Sequence, residues 1–343
     1  MGNINILKNL INYRTVSIIG MDKNVGKTTV LNYILGEARG ERRLGLTSIG
    51  FDGEDKDLVT GTDKPRIYIE SGTLIATAKG CLFNGDITRE ILKTTNINTP
   101  MGEVIIARAL SDGFVELGGA SINSYMKAVC NDLISYGSEL VLVDGALSRK
   151  TTASPSVTEG CILATGASLH RSIDKVVEKT KHTVKLLSLG REEDKEIRNL
   201  AATKLASSKI AIIYKDRSVK VLKTVTALDA ARELVENLSE AVTHVLIRGV
   251  ITDKLIEDII SSTDKYKTIT FLVEDGSRLF ISPNTLYKFE RLGNSFKVLN
   301  SISLVCLTCN PKAPFGYEFD KDLFLGKLRG SIPLPIYDVV GGG

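Results

Sequence analysis

The sequence predicts an α/β protein: a parallel β-sheet flanked by helices, followed by a second α/β domain at the C-terminus. Short apolar, β-branched segments alternate with segments of helical periodicity throughout the first half of the chain. The strand-like segments are almost continuously apolar, which is typical of strands covered on both faces by helices. The same alternation resumes after a charged stretch at residues 191–198 (REEDKEIR), which we interpret as a linker or surface helix.

These observations predict two domains. The chain has 343 residues, and domains hold roughly 150 residues each. We expect a nucleotide-binding domain at residues 1–190, for reasons given below. A second α/β domain, suited to a partner or a substrate protein, is expected at residues 200–343. Its tail, residues 310–340, contains four prolines and is expected to wrap over a surface rather than form a core of its own.

In the first half, each element is predicted from its local pattern. The strand-like segments are residues 14–19, 44–49, 103–110, 140–143 and 161–165. The segments with helical spacing are residues 27–38, 121–136 and 168–189. Residues 66–78 predict a β-hairpin that turns at Ser71-Gly72. Residues 86–94 predict a short helix capped by Asp86.

The second half gives the same kind of pattern with weaker signals. The predicted strands are residues 210–214, 245–247 and 268–273, and the predicted helices are residues 227–238 and 253–260. Several short strands are expected from there to about residue 307. No internal repeat is visible.

Composition and charge exclude several classes of protein. The 44 Lys and Arg against 40 Asp and Glu leave a formal charge of +4, too small an excess to indicate a nucleic-acid-binding protein. No apolar run reaches about 18 residues, so we expect no membrane span. The N-terminal residues lack the pattern of a secretory signal. Five cysteines, an odd number, are typical of reduced thiols, and we expect a cytoplasmic protein. Cys306 and Cys309 form a lone C-x2-C, interpreted as buried thiols on a strand because no further zinc ligands lie near in sequence.

The strongest functional signal is a loop between the first predicted strand and helix. It reads Gly20-Met21-Asp22-Lys23-Asn24-Val25-Gly26-Lys27-Thr28-Thr29. Backbone N–H groups at a strand-to-helix junction, with the positive end of the helix dipole, can hold a phosphate. We expect Lys27 to reach the β- and γ-phosphates and the Thr28 hydroxyl to bind Mg²⁺. The loop therefore predicts a P-loop NTPase-type sheet that binds ATP or GTP with Mg²⁺.

The contact set that we assign to the nucleotide contains nearly every residue of this loop. It comprises Gly20, Asp22, Lys23, Asn24, Val25, Gly26, Lys27, Thr28 and Thr29. The spacing departs from the simple G-x4-GK[ST] pattern, because Gly20 is one residue too early and Met21 stands in the place of the first glycine.

Two carboxylates are candidates for the metal side of the site. The apolar run at residues 140–143 ends in Asp144-Gly145, as expected of a strand that delivers a Mg²⁺-linked carboxylate beside the phosphate loop. The second strand ends in an acidic stretch containing Asp52 and Glu54, either of which could position Mg²⁺ or the attacking water. We assign Lys27, Asp52 and Asp144 as candidate catalytic residues, and Thr28, Asp144 and Asp52 as candidate metal ligands.

The loop and several longer segments resemble known families. The loop is similar to those of dethiobiotin-synthetase-like and MinD-like NTPases. Asp22 occupies the place of the MinD-type signature lysine and Lys23 follows it, which puts MinD-type dimer catalysis in doubt. The segments SIIGMDKNVGKTT, LGLTSIGFDGE, INTPMGEVIIARALSDGFVEL and VDGALSRKTTASPSVTEGCILATGAS resemble the small subunit of the lysine 5,6-aminomutase reactivase. The tail segment CNPKAPFGYEFDKDLFLGKLR is also similar.

The resemblance implies a chaperone-like function. A reactivase subunit of this kind would work with a MutS-like ATPase subunit. Together they would use nucleotide to exchange the damaged cofactor of an adenosylcobalamin-dependent aminomutase. Two alternatives stay open: an ATP-dependent ligase or cofactor-biosynthesis NTPase of the dethiobiotin synthetase type, and a non-catalytic subunit that nucleotide merely stabilises. No membrane or nucleic-acid partner is expected.

Overall fold

The computed structural model describes residues 6–50, 66–145, 154, 156–205, 209–222, 227–263 and 267–339. The chain divides into two compact units. Unit 1 comprises Met1–Lys181 and Ser303–Gly343, and unit 2 comprises His182–Ile302. In the part of the chain that the structure describes, no helix is both long enough and apolar enough to cross a membrane.

The strands and helices follow the chain in a largely alternating order. The strands are β1 (Thr15–Gly20), β2 (Leu44–Ser48), β3 (Ile67–Ile69), β4 (Leu74–Ala78), β5 (Arg89–Thr99), β6 (Gly102–Ala109), β7 (Gly113–Val115), β8 (Leu140–Asp144), β9 (Gly160–Gly166), β10 (Ile210–Tyr214), β11 (Val219–Leu222), β12 (Val242–Ile247), β13 (Ile251–Thr252), β14 (Thr270–Val273), β15 (Leu279–Phe280), β16 (Ser295–Val298), β17 (Leu304–Asn310) and β18 (Ile336–Tyr337). The helices are α1 (Ile6–Asn9), α2 (Lys27–Glu37), α3 (Lys79–Asn84), α4 (Asn123–Ser135), α5 (Ile173–Leu187), α6 (Lys195–Leu205), α7 (Ala227–Asn237), α8 (Asp253–Ser262), α9 (Pro283–Arg291) and α10 (Lys321–Ser331).

Unit 1 is built on a nine-stranded, mostly parallel sheet. Its strand order is β18-β17-β9-β1-β8-β2-β4-β6-β5. The strands from β18 to β4 are parallel to their neighbours, whereas β6 is antiparallel to both β4 and β5. This confirms the predicted α/β class with a large parallel sheet. The sheet also has an antiparallel edge, formed by β6 and β5.

Apolar residues of the central strands cover both faces of this sheet. In β8, Leu140 and Leu142 pack in one cluster with Val30 and Ile34 of α2. The alternate residues Val141 and Val143 pack in a second cluster with the inner face of α4. Each fully buried side chain of this kind contributes roughly 1.5–3 kcal/mol. Neither face of these strands meets water, and this explains why their sequences are continuous apolar runs.

Unit 2 contains a smaller mixed sheet, in the order β11-β10-β12-β14-β16. Strands β12, β14 and β16 are parallel, and β10 is antiparallel to β11 and β12. Three aromatic rings form the centre of the core on one face. Phe271 lies edge-on to Phe289, with ring centroids 5.0 Å apart, and Phe289 stacks on Phe296 at 4.5 Å. The predicted second group of strands and helices in the C-terminal region is thus confirmed.

The boundaries of the two units differ from the expected 1–190 and 200–343. Strand β17 pairs with β9, and β18 pairs with β17, so the C-terminal segment belongs to the sheet of unit 1. The reason is that β17 is a buried apolar strand that completes the first sheet. The charged stretch at 191–198 lies within unit 2, so it is not a linker; its second half begins α6, in line with the alternative interpretation as a surface helix.

Two local predictions were wrong. Strands β3 and β4 flank a turn at Ser71-Gly72, but they do not form a hairpin, since β3 pairs with β7 and β4 pairs with β2 and β6. The predicted helix at 86–94 is replaced by β5, which pairs antiparallel with β6. Asp86 instead accepts a hydrogen bond from the backbone N–H of Phe114. In the first case pairing with distant strands overrides the local pattern, and in the second case pairing with β6, the next strand in the chain, does so.

Candidate functional site

The predicted phosphate loop, residues 20–29, lies at the carboxyl edge of the large sheet. It connects the last residue of β1 to α2, and β1 lies between β8 and β9 in the sheet. The backbone N–H of Met21 still donates to the carbonyl oxygen of Ala164 in β9, 2.9 Å away. The loop therefore begins on a strand that is fixed from both sides. This is the edge at which ligands bind in open α/β sheets.

The backbone of the loop passes twice through the left-handed region before α2 begins. Asn24 (φ 58°) and Gly26 (φ 90°) both adopt left-handed conformations. Gly26 is the N-cap of α2 and makes no side-chain cap hydrogen bond. The first N–H groups of a helix have no partner within the helix, so they can donate to a bound anion at this end.

Lys27 folds back across the loop toward Gly20. A Cβ atom added at Gly20 would lie 2.9 Å from the Lys27 Nζ and 2.8 Å from a methyl carbon of Val25. The Nζ also donates to the carbonyl oxygen of Asp22 at 3.4 Å. Only glycine fits at position 20 with Lys27 in this place. The structure thus accounts for the glycine that the simple phosphate-loop spacing left unexplained.

Asp144 reaches the same edge of the sheet on the strand next to β1. In the register of the sheet it pairs with Ile18 of β1 on one side and with Ser48 of β2 on the other. The following residue, Gly145, donates its N–H to the carbonyl oxygen of Ile18 at 3.0 Å. The Oδ1 atom of Asp144 is buried. The predicted placement of a carboxylate on the strand beside the loop is therefore what the structure shows.

Two residues that the sequence analysis missed hold the loop from the other side. Asn310, the last residue of β17, donates its side-chain amide to the carbonyl oxygen of Asn24 at 3.1 Å. Ser168, which follows β9, donates its hydroxyl to the carbonyl oxygen of Lys23 at 2.9 Å. Both lie just beyond or at the carboxyl end of an apolar strand, and that position is the signal that could have found them.

The remaining site predictions have different outcomes. Thr28 and Thr29 lie in the first turn of α2 and are half-buried. Asp52 and Glu54 lie outside the described residues. The structure thus brings together the loop, Lys27 and Asp144, and it leaves the role of Asp52 as a prediction.

The oxygen donors near the loop suit Mg²⁺. The Thr28 hydroxyl and the Asp144 carboxylate are the kinds of ligand that this ion prefers, and it is commonly held by one or two protein oxygens together with substrate phosphates. Among the described residues no group of three His, Cys, Asp or Glu side chains could hold a metal ion by itself. The donor set therefore fits a metal that arrives with a nucleotide.

The C-x2-C pair lies on β17, the strand that ends in Asn310. Cys306 and Cys309 are buried on β17, and burial raises the pKa of each thiol to about 12. A thiol with so high a pKa is not a nucleophile near neutral pH. The interpretation of the pair as buried thiols on a strand is confirmed.

Comparison of the chain with protein-family models gave no match, and a search of curated proteins gave none.

Proposed function

We propose that the loop at residues 20–29 is a P-loop that binds ATP or GTP with Mg²⁺, and that unit 1 is an NTPase-type domain. One observation carries this proposal: Lys27 lies back over Gly20 at the mouth of the loop. Asp144, on the neighbouring strand, supports it. A cation, exposed helix N–H groups and a carboxylate meet at one edge of the sheet, as phosphoryl transfer requires.

Each side chain has a distinct role in this proposal. The N–H groups of the loop and of the start of α2 hold the phosphates, and Lys27 offsets the charge of the β- and γ-phosphates. Thr28 and Asp144 supply oxygen ligands for Mg²⁺, directly or through water. When bound, the metal would offset charge that develops on the phosphates during transfer. Asp52 is proposed to orient the metal or the attacking water.

A pair of adjacent threonines tests the metal assignment. Thr28→Ala and Thr29→Ala each remove one threonine hydroxyl, and both hydroxyls lie in the first turn of α2. We expect Mg²⁺ to strengthen nucleotide binding to wild type and to Thr29→Ala, but not to Thr28→Ala. Calorimetric titration with and without Mg²⁺ measures this difference. Equal Mg²⁺ dependence in the two variants would exclude Thr28 as the metal ligand.

We further propose that the chain is the nucleotide-binding subunit of a reactivating factor for an adenosylcobalamin-dependent aminomutase. The resemblance of the long segments quoted above supports this proposal. The partners would be a MutS-like ATPase subunit and the aminomutase itself, and unit 2 would provide a surface for one of them. A cytoplasmic location belongs to the same proposal.

Reactivation of a cobalamin-inactivated lysine 5,6-aminomutase tests this part. With the ATPase subunit and Mg²⁺-ATP present, wild type should restore mutase activity and Lys27→Ala should not. Restoration by Lys27→Ala equal to wild type would exclude a nucleotide-driven role. ADP release that depends on a small carboxylated amine would favour the ligase alternative instead. Tight nucleotide binding without turnover, even with both partners, would favour the non-catalytic alternative.

A further inference from the structure

Unit 1 contains a second concave site at the amino-terminal ends of the strands of the large sheet. The predicted phosphate loop lies at the opposite, carboxyl-terminal ends. A cleft of about 930 Å³ opens beside the first residues of β2 and β4 and the C-terminal end of α2. Five arginines line it, and we call it the arginine cleft: Arg39, Arg42, Arg43, Arg66 and Arg108.

The charge of the arginine cleft is positive. Three acidic residues also line it, Glu41, Glu70 and Glu139, so the five arginines leave an excess of 5 − 3 = +2. Guanidinium groups bind carboxylates and phosphates through two parallel hydrogen bonds. The excess of two positive charges therefore suits a ligand with at least two negative charges.

One of the five arginines, Arg42, stabilises the fold through hydrogen bonds to the backbone. Arg42 donates to the carbonyl oxygens of Leu10, Tyr13 and Glu139 at 2.8–3.0 Å. Burial lowers the pKa of this guanidinium. Its hydrogen-bond donors are occupied by backbone carbonyl groups, so Arg42 has a structural role in the wall of the cleft.

Three of the other arginines are available to an anion, whereas Arg108 is ion-paired with Glu90 at 2.8 Å. Arg39 pairs with Glu70 at 2.8 Å and Arg43 with Glu139 at 3.5 Å, and both pairs are exposed to solvent. Exposed ion pairs contribute only about 0–1 kcal/mol, so a ligand can replace the glutamate at small cost. Arg66 is exposed, and in the described part of the chain no carboxylate lies within ion-pair distance of it.

An aromatic wall stands beside Arg66. Its guanidinium lies over the ring of Phe114, 4.7 Å from the centroid. Phe114 packs edge-on against Tyr68, with centroids 5.3 Å apart, and Tyr68 is half exposed. The stacked ring holds Arg66 in place, which lowers the entropy lost when it binds an anion.

The cleft is much larger than a bare inorganic ion. Pockets for organic molecules measure about 300–1,000 Å³, and this cleft is near the upper end of that range. We propose that the arginine cleft binds a small organic molecule that carries two or more phosphate or carboxylate groups. This site is independent of the proposed nucleotide site, which lies at the other edge of the sheet.

Calorimetric titration of the full chain at low salt tests the proposal, with fructose 1,6-bisphosphate and citrate as probes. At least one of them should bind saturably to wild type. Arg66→Ala should weaken binding about 10-fold or more, because one charge-assisted pair is lost. Arg66→Lys should weaken it less. The matched control is Arg232→Ala, which removes an exposed, ion-paired arginine of unit 2 and should leave binding unchanged.

The outcomes separate the possible ligands. Preference for the bisphosphate or for citrate tells a phosphate site from a carboxylate site. No saturable binding of either probe, or equal affinity in wild type and Arg66→Ala, would overturn the proposal. A poly-glutamate peptide that alone binds in an Arg66-dependent way would replace the small molecule by an acidic segment of a partner. Because Arg66 is exposed, Arg66→Ala should fold, and an unchanged Tm verifies this.

Discussion

The side-chain amide of Asn310 donates a hydrogen bond to the main-chain carbonyl oxygen of Asn24, 3.1 Å away, although 286 positions separate the two residues. Asn24 has a positive φ, a conformation that asparagine tolerates better than most residues other than glycine. The last residue of β17 thus makes a direct contact with the predicted phosphate loop. The C-terminal segment is therefore part of the candidate site as well as of the sheet.

Asn310→Ala should weaken nucleotide binding by acting on the loop. Losing one neutral hydrogen bond costs about 0.5–1.5 kcal/mol, which corresponds to roughly a 2- to 10-fold loss of affinity. Asn300→Ala is the matched control, since Asn300 is exposed in unit 2. Titration with Mg²⁺-ATP or Mg²⁺-GTP measures both. If the two variants bind as wild type does, the Asn310–Asn24 contact has no part in nucleotide binding.

Gly20→Ala should displace Lys27. The new Cβ would lie within 2.9 Å of the Lys27 side chain and of Val25, closer than packed atoms allow. Losing the charge-assisted contacts of Lys27 costs about 1.5–3 kcal/mol, so we expect nucleotide affinity to fall roughly 10- to 150-fold.

The control for Gly20→Ala is Gly36→Ala, near the end of α2. No atom lies within 4 Å of a Cβ placed at Gly36, so this change should leave nucleotide affinity intact. It should also stabilise the helix by about 0.5–1 kcal/mol. Equal affinities in the two alanine variants would contradict the packing of Lys27 over Gly20.

The five cysteines should be unreactive in the native protein. All five are buried, and burial raises the pKa of Cys81 to about 11 and those of the other four thiols to about 12. The thiolate is the reactive form, so native protein near pH 8 should react with almost no Ellman's reagent. Protein unfolded in urea should react with five equivalents of Ellman's reagent, one for each cysteine. Rapid labelling of native protein would show that a buried strand or helix opens readily.

Acid should destabilise unit 2 through a buried pair. Glu192 is buried, and its Oε2 lies 3.4 Å from the Nε2 of His244 and 3.2 Å from the Nζ of Lys297. Burial lowers the pKa of His244 and outweighs the nearby carboxylate. For Glu192, burial raises the pKa, but the hydrogen bond from the Asp194 N–H and the charge of Lys297 together lower it.

Both shifts act in the same direction. The unfolded chain binds more protons than the folded chain below the ordinary histidine pKa of 6.5, and again below the ordinary glutamate pKa of 4.5. Stability should therefore fall through His244 as the pH drops from about 7.5 to about 5, and fall further through Glu192 below about pH 5. His244→Gln should show a smaller fall between these pH values in urea unfolding. An identical pH dependence in wild type and His244→Gln would exclude His244 as its source.

The sequence predicted the parts of the site that depend on local pattern. Strands β1 and β8 are short apolar runs, and α2 has apolar residues at helical spacing directly after the loop, so each could be recognised within its own segment. Because parallel strands end at a common edge, the sequence also predicted that Asp144 and Lys27 lie at one edge of the sheet. The structure shows both residues there.

The pairing of several strands could not be predicted from the sequence. Strand β5 is polar and largely exposed, so its own pattern gives no strand signal, and pairing with β6 determines its structure. Strand β17 returns to β9 from about 140 residues further along the chain. The end of an apolar strand marks Asn310 as a possible site residue, but no local feature shows that β17 joins the first sheet, so its contact with the loop could not be predicted. The arginine cleft was missed for the same reason, since its walls come from separate segments of unit 1.

The central claim is that Lys27 holds the phosphates of a bound nucleotide, and one calorimetric comparison tests it most directly. Wild type, Lys27→Ala and the control Lys127→Ala, an exposed lysine on α4, are titrated with ATP, ADP and GTP in the presence of Mg²⁺. We expect wild type and Lys127→Ala to bind the same nucleotide equally well, and Lys27→Ala to bind it roughly 10- to 150-fold more weakly. Nucleotide binding that is unchanged in Lys27→Ala would contradict the account.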